Sequence, residues 1–193
     1  MDAATRAQIG ELRAILVENA ALVHVVERAP ALGLPHWYLG AGCIAQTVWN
    51  VRCGWPAARA IRDYDLVYYD AADLSEDGEA RQAGRAATLF GDLGIRLDVK
   101  NEARVHLWYT SRFGSPITPY RSLEEVIDCW PTTATAIGVR RLAAVPIVYA
   151  PFGLSDLLGL IVRPNRRQIT EAIYCAKVQR WIAEWPSLTI IPW

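Results

Sequence analysis

The chain has 193 residues, of which 52% are hydrophobic, so it can form one domain whose core needs no disulfide or metal staples. Its 20 basic and 20 acidic side chains cancel, which disfavours a protein that coats nucleic acid through excess Lys and Arg. No apolar stretch approaches the roughly 20 residues needed to cross a bilayer, and the N-terminus lacks the basic start of a signal peptide. We therefore expect a cytosolic protein with no membrane partner.

The four cysteines are scattered along the chain, and neither a C-x-x-C pair nor a histidine at zinc-ligand spacing accompanies them. A structural zinc site needs four convergent ligands, usually arranged in close pairs. The sequence therefore predicts buried free thiols, as expected in a reducing compartment. The thiols concerned are Cys43, Cys53, Cys129 and Cys175.

The first third of the chain predicts a helix, a strand and a second helix. Apolar residues at helical spacing favour one helix over about residues 6–28. Residues 36–39 (HWYL) predict a short strand that runs into the turn Gly40-Ala41-Gly42. Residues 43–51 are expected to form a buried helix.

The middle of the chain alternates strands and helices. β-branched and aromatic residues predict a strand over 61–69 (IRDYDLVYY), and Ser75 is expected to cap a helix that reaches about residue 89. A third strand is predicted over 95–99 and a helix over about 102–112. This order indicates an α/β (α+β) domain with helices flanking a mixed sheet.

Gly114, Pro116 and Pro119 interrupt the chain, and residues 116–119 mark a seam within one domain spanning 1–193. The seam separates a catalytic core (about 30–115) from a C-terminal half (about 116–193) that completes it. Ser122 and Glu125 form a capping box for a short helix. The remaining predicted elements are strands over 134–140 and 146–150, a helix capped by Ser155 that reaches about residue 160, and a last helix over about 168–184.

Acidic residues on two of the predicted strands carry the chemistry. Asp63 and Asp65 stand at positions i and i+2, so strand alternation places both carboxylates on one face. Two adjacent carboxylates repel each other unless a cation lies between them, and magnesium prefers such oxygen ligands. Asp98, on the next strand, could complete a second metal position of the kind used in two-metal phosphoryl transfer.

The turn Gly40-Ala41-Gly42 opens a predicted helix, where a backbone without Cβ atoms and the helix N-terminus favour a phosphate. A D-x-D pair alone is often a solvated strand edge, and a G-x-G turn alone is often a packing feature. The ordered combination of glycine turn, D-x-D strand and acidic strand is far more specific for a nucleotide and its metal.

A resemblance to a known family rests on five segments: WYLGAGCIAQTVWN, IRDYDLVYYD, VKNEARVH, TATAIGVR and APFGLSDLLGLIVRPN. With these motifs in order over most of the chain, it resembles a bacterial nucleotidyltransferase-like family of the DNA polymerase beta-like nucleotidyltransferase superfamily. The resemblance implies a polymerase-beta-like fold. It also implies transfer of a nucleoside monophosphate from an NTP such as ATP, with Mg²⁺ or alternatively Mn²⁺ as the cofactor.

In residues, the resemblance implies a nucleotide-binding turn at Gly40, Ala41 and Gly42, and catalytic metal ligands at Asp63 and Asp65. The third carboxylate best matches Asp98. Here the turn is Gly-Ala-Gly, so it offers no serine hydroxyl to a phosphate.

Three residues that follow Asp98 in the chain carry side chains that could contact a substrate. Lys100 follows Asp98 at a strand end and is assigned to triphosphate binding, although a lysine there is often only solvated. Arg104 and His106 cannot face the same way on one helix, and His106 is either an acceptor-substrate contact or a packed histidine.

The sequence is also compatible with two functions other than nucleotidyl transfer. The fold could serve as a catalytically weak nucleotide- or RNA-binding module, or as a structural partner protein. The acceptor of the nucleotide is left open between a small molecule, a protein hydroxyl and a tRNA end.

Overall fold

The sheet and its helices are defined in a computed structural model that describes residues 2–142 and 146–193. The α-helices in these ranges are α1 (Ala3–Leu16), α2 (Ala20–Arg28), α3 (Gly42–Arg52), α4 (Glu76–Phe90), α5 (Val105–Phe113), α6 (Leu123–Ile127), α7 (Ser155–Leu158) and α8 (Glu171–Glu184). The strands are β1 (Trp37–Gly40), β2 (Tyr64–Tyr68), β3 (Leu97–Asn101), β4 (Gly138–Arg141), β5 (Ile147–Tyr149), β6 (Ile161–Val162) and β7 (Thr189–Ile190). Short 3₁₀ helices are found at Ala29–Leu32, Gly91–Leu93 and Glu102–Arg104.

The main sheet has the strand order β3-β2-β1-β4-β5. β2 and β3 are parallel, whereas the other neighbouring pairs are antiparallel. The predicted mixed sheet with flanking helices is therefore confirmed. β4 and β5, which follow the 116–119 seam, belong to this same sheet, and β6 pairs in parallel with β7 in a separate small one.

The two faces of the sheet carry cores of different size. Tyr64 and Leu66 of β2 and Val99 of β3 belong to the large core that also includes residues of α1, α2, α3 and α8. Val67 of β2 belongs to the smaller core on the other side, which includes residues of α6. Alternation therefore directs Asp65 toward the face of the smaller core.

The predicted single helix over residues 6–28 is wrong, because the chain forms α1 and α2 with a break between them. Asn19 caps α2, its side chain accepting a hydrogen bond from the backbone N–H of Leu22 at 3.2 Å. Its Nδ2 donates to Thr47 Oγ1 at 2.9 Å and to the Tyr64 hydroxyl at 3.2 Å. The apolar spacing continues across the break. The helix is nevertheless interrupted, because this buried asparagine serves as the N-cap of a new helix, α2.

The predicted strand over 134–140 is also shorter than expected. The backbone N–H groups of Thr135 and Ala136 both donate to the carbonyl of Thr132, which makes a turn before β4 begins at Gly138. Ser155 does not cap α7, whose N-cap is Leu154; the Ser155 hydroxyl instead accepts a hydrogen bond from Gln8 at 3.0 Å. The other predicted elements are present with ends shifted by a few residues, while the two-residue strands β6 and β7 went unpredicted.

Asn50 fixes the loop that joins α3 to β2. Its buried side chain donates to the carbonyls of Ala57 at 3.0 Å and Arg59 at 2.7 Å. Its oxygen accepts a hydrogen bond from the Trp185 indole N–H at 2.7 Å. This loop leads directly into Asp63, so Asn50 fixes the chain just before β2. Its bond to Trp185 also ties this segment to the C-terminal end of α8.

Within the described ranges, no helix is both long and apolar enough to cross a membrane.

We expect Asn50→Leu to lower the free energy of unfolding by about 2–3 kcal/mol, because it leaves two carbonyls and one indole N–H without their partner. The control is Gln8→Leu, which loses one exposed hydrogen bond and should stay within about 0.5 kcal/mol. Urea unfolding of both variants measures the difference. Equal stability of the two variants would contradict this role for Asn50.

Candidate active site

Tyr64 orients the two aspartates that flank it. Its ring lies in the large core, and its hydroxyl is held by Asn19. Asp63 directly precedes β2 and Asp65 is its second residue. With Tyr64 fixed toward the large core, Asp65 is directed to the opposite face of the sheet, as the sequence predicts.

The register of the sheet brings the third aspartate and the glycine turn to Asp65. In β3, Asp98 is the parallel partner of Asp65, and in β1, Gly40 is its antiparallel partner. The D-x-D strand therefore lies beside the Asp98 strand, and the glycine turn lies at the same end. Burial raises the pKa of Asp65 to about 7, and the negative charges of Asp63 and Asp98 contribute to the rise.

The backbone of the glycine turn is packed tightly against the C-terminal half. A Cβ at Gly40 would lie 2.6 Å from the Trp130 ring and 2.7 Å from the carbonyl oxygen of Ile137, so this position requires glycine. Ala41 has φ 55° and ψ −125°, a conformation that L side chains rarely adopt. Its N–H donates to the Ile137 carbonyl at 3.1 Å, which holds the turn in place.

Helix α3 begins at this turn with backbone donors that have no partner within residues 2–142 and 146–193. The first helical hydrogen bond runs from Ala45 N–H to the Ala41 carbonyl at 3.2 Å. The N–H groups of residues 42–44 therefore precede the bonded ladder, and Ala41 has no side-chain acceptor to cap them. Together with the positive end of the helix dipole, these groups favour an anion.

A cleft of about 430 Å³, here called the first cleft, opens over this helix start. It is lined by Gly42, Asp63 and Asp65, and by basic residues that come from distant parts of the chain. This lining places the free N–H groups, two carboxylates and several cations around one space that can hold a polyphosphate. The basic residues are Arg62, Arg112, Lys177 and Arg180.

A second cleft of about 380 Å³ adjoins the first on the other side of Asp65. Asp98, Lys100 and Glu102 line it, and most of its remaining lining is apolar or aromatic. The two clefts share the following lining residues: Ala41, Asp65, Arg112, Pro131 and Lys177. Asp65 therefore lies between a basic cleft and an aromatic one.

Lys177 of α8, like Arg112, is a cation that lines both clefts. Burial lowers the pKa of its ammonium group, as does the neighbouring Arg180 charge, while Asp65 and Asp63 act in the opposite direction. Sequence reasoning missed Lys177, Arg180, Arg112 and Glu102, because no local motif marks them. Their proximity to the aspartates depends on how α5 and α8 pack against the sheet.

Lys100, predicted to bind triphosphate, lies beside two carboxylates on the second cleft. Its ammonium is 3.7 Å from Glu79 and 3.7 Å from Asp98, and it lines the second cleft rather than the first. Arg104 is buried, donating to the Leu74 carbonyl at 3.0 Å and to Glu79 at 2.8 Å, which indicates a structural role. His106 is outside the described lining of both clefts, and its buried Nδ1 has no hydrogen-bond partner among the described residues.

The aspartates fit a divalent metal that shares its coordination with a substrate. Among the described residues, no three His, Cys, Asp or Glu side chains converge into a complete metal site. Magnesium commonly takes only one or two protein carboxylates and completes its shell with water and phosphate oxygens. The close carboxylates of Asp63 and Asp65, beside a cleft that suits a polyphosphate, provide that donor set.

Ala41→Gly should stabilise the protein by about 1 kcal/mol, because it relieves a strained backbone at φ 55°. The matched control is Ala45→Gly, inside α3, which should destabilise by about 1 kcal/mol or more. Thermal and urea unfolding measure both changes. A loss of stability in Ala41→Gly as large as in the control would show that this conformation carries no strain.

Asp65→Asn should raise the free energy of unfolding at pH 8. An unfolded aspartate loses its proton near pH 3.8, whereas folded Asp65 keeps it to about pH 7, so the parent loses stability as pH rises between these values. This rise in pKa corresponds to at most about 4 kcal/mol. The variant lacks this loss, so its advantage should grow from pH 4.5 to pH 8.

Urea unfolding at several pH values measures this difference, with the exposed Asp77→Asn substitution on α4 as the control. An Asp65→Asn protein that is strongly destabilised at pH 8 would instead indicate that Asp65 accepts structural hydrogen bonds.

Comparisons with known proteins identify the fold and the family. A solved structure described as "The NMR structure of the protein reveals a CCA-adding enzyme head domain" is similar in fold, with a TM-score of 0.77 and 22% identity over 95% of this chain and 96% of that one. A search of curated proteins finds no match. A family model described as Nucleotidyltransferase matches residues 27–190, which include both clefts' acidic residues and most of the fold. The chain therefore belongs to this nucleotidyltransferase family.

Proposed function

We propose that this protein transfers a nucleoside monophosphate from an NTP to a hydroxyl group of an acceptor and releases pyrophosphate. The observation that carries the proposal is the position of Asp65, which pairs with Gly40 of the glycine turn on one side and with Asp98 on the other. The same residue lines both the first cleft, at the start of α3, and the adjoining second cleft.

The triphosphate would occupy the first cleft. The free N–H groups at the start of α3 and the side chains of Lys177 and Arg180 supply donors and positive charge along one wall. Asp63 and Asp65 would hold Mg²⁺ together with phosphate oxygens of the NTP, and Asp98, the neighbour of Asp65 on β3, would act from the second cleft. When bound, the ion would neutralise charge on the phosphates and activate the attacking hydroxyl.

The acceptor hydroxyl would enter from the second cleft, where Asp98 lies. A bond forms between the hydroxyl oxygen and the α-phosphorus, and the bond from that phosphorus to the bridging oxygen of the β-phosphate breaks. Asp98 is proposed to accept the hydroxyl proton, and the leaving pyrophosphate keeps the electron pair. Arg112 and Lys177 line both clefts. They would therefore stabilise the negative charge that moves from the attacking hydroxyl to the leaving pyrophosphate.

Pyrophosphate release from each of the four NTPs, measured with and without Mg²⁺ in the presence of a small-molecule cell extract, tests the proposal. We expect Mg²⁺-dependent release with the parent and at least a 100-fold loss with Asp65→Asn, which removes the shared carboxylate. Mg²⁺ should also raise the Tm of the parent more than that of the variant. The control Asp77→Asn should keep full activity.

A parent that binds NTP and Mg²⁺ but releases no pyrophosphate, with either the small molecules or the macromolecules of a cell extract, would favour the nucleotide-binding module over the enzyme. A parent that binds neither would reject the site itself.

A further inference from the structure

The walls of the second cleft suit a flat organic molecule. Its described lining includes the aromatic rings of Trp108, Tyr109, Phe113, Tyr120 and Trp130. Trp108 and Phe113 are each 39% exposed, although aromatic side chains of this size usually bury most of their surface. Tyr109 and Phe113 pack against each other with tilted rings whose centroids are 4.6 Å apart, which fixes one wall in position.

Aromatic faces in this cleft already interact with a cation. The Arg112 guanidinium lies 5.9 Å from the Trp108 ring centroid and 5.7 Å from that of Phe113. These distances are within the range of cation–π attraction, which also binds organic ammonium groups to aromatic surfaces. The wall can therefore accept positive charge as well as apolar surface.

Glu102 is an unengaged carboxyl group on the same cleft. No hydrogen bond or ion pair joins its carboxyl to another side chain in the described part of the chain. Burial raises the pKa of Glu102 to about 8, with the negative charges of Asp65 and Glu79 adding to the rise. Glu79, by contrast, is bound by Arg104 and by the Asn101 N–H.

The nearby cations compensate for Glu102 only in part once a nucleotide is present. Lys100 lies between Glu79 and Asp98, at 3.7 Å from each. Lys177 and Arg112 also line the first cleft, where the phosphates of an NTP would attract them. Glu102 is then the carboxyl group beside the aromatic wall that a bound ammonium group would pair with and hold in its ionised form.

We propose that the second cleft binds the acceptor, and that the acceptor is a small hydroxylated organic cation. Its ammonium group meets Glu102, its apolar body lies against Trp108 and Phe113, and its hydroxyl points toward Asp65 and Asp98. Its identification as the acceptor rests on the proposed nucleotidyl transfer, whereas its binding does not.

The size of the cleft favours a small molecule over a macromolecule. A space of about 380 Å³ matches small-ligand sites, which hold most of their ligand within the protein. The net charge of zero offers no general attraction for a polyanion such as RNA. If the acceptor is instead a tRNA end or a protein hydroxyl, label from α-labelled NTP enters the macromolecules of a cell extract.

Binding of three matched phenols tests the site without any need for catalysis. Tyramine carries an ammonium group, 4-ethylphenol is neutral and 3-(4-hydroxyphenyl)propionate is an anion. Isothermal titration at pH 8 with saturating non-hydrolysable NTP analogue and Mg²⁺ should show tyramine binding at least tenfold more tightly than the other two. Glu102→Gln should remove this preference, because it keeps the size of the side chain and removes its negative charge.

The control is Glu76→Gln, a substitution of a 93% exposed glutamate outside the second cleft, which should leave the preference unchanged. Absence of tyramine binding to the parent, or an equal preference in Glu102→Gln, would overturn the proposal. A Trp108→Ala variant that binds tyramine as tightly as the parent would reject the aromatic wall as part of the site.

Transfer of label from α-labelled NTP separates this proposal from the proposed function. The small molecules of a cell extract are divided on a cation-exchange resin into retained and unretained fractions, and the macromolecules are kept as a third fraction. We expect label to enter the retained small molecules. Label in either of the other fractions overturns the acceptor class while supporting the transfer, whereas tyramine binding without any labelled product leaves the cation site standing and rejects the transfer.

Discussion

Parallel pairing of β2 with β3 sets Asp65 beside Asp98, and Asp63 precedes it by two residues, so like charges lie close together on one face of the sheet. Burial is the main cause of the raised pKa of Asp65, and this crowding of like charges adds to it. The sheet register cannot relax to separate the carboxylates, because a shift by one residue would turn Tyr64 and Leu66 out of the large core. The apolar core therefore maintains an electrostatically unfavourable site that a bound cation can relieve.

The surroundings of the aspartates reduce this repulsion only in part. Lys177 and Arg180 reach the first cleft from α8, and Arg112 reaches it from α5. Burial and the neighbouring Arg180 charge also disfavour the charged form of the Lys177 ammonium group when no anion is bound. Both signs of charge are thus brought together before any ligand binds, which is the preorganisation that phosphoryl transfer requires. Asn50 and Trp185 hold the loop before β2 and so help to fix this geometry.

The parts of the site that follow from local pattern could be predicted from the sequence. Alternation along β2 placed Asp63 and Asp65, and the chain order of glycine turn and acidic strands placed Gly42 and Asp98. Lys177 and Glu102 could not be predicted, because their roles depend on the packing of α8 and on the 3₁₀ turn after β3. The break at Asn19 was missed for a related reason: the apolar spacing runs on through it, and only the tertiary contacts with Thr47 and Tyr64 explain why this asparagine is buried.

The sharing of Asp65, Arg112 and Lys177 by both clefts has an electrostatic consequence for the two proposed ligands. Phosphates in the first cleft would attract Arg112 and Lys177 and so lower the positive charge that these side chains present to the second. Glu102 would then be less shielded, and a cation in the second cleft would bind more tightly. Because coupling between two binding sites is reciprocal, the cation would in turn strengthen nucleotide binding. The two substrates would therefore favour each other through the residues between them, without any change in the fold.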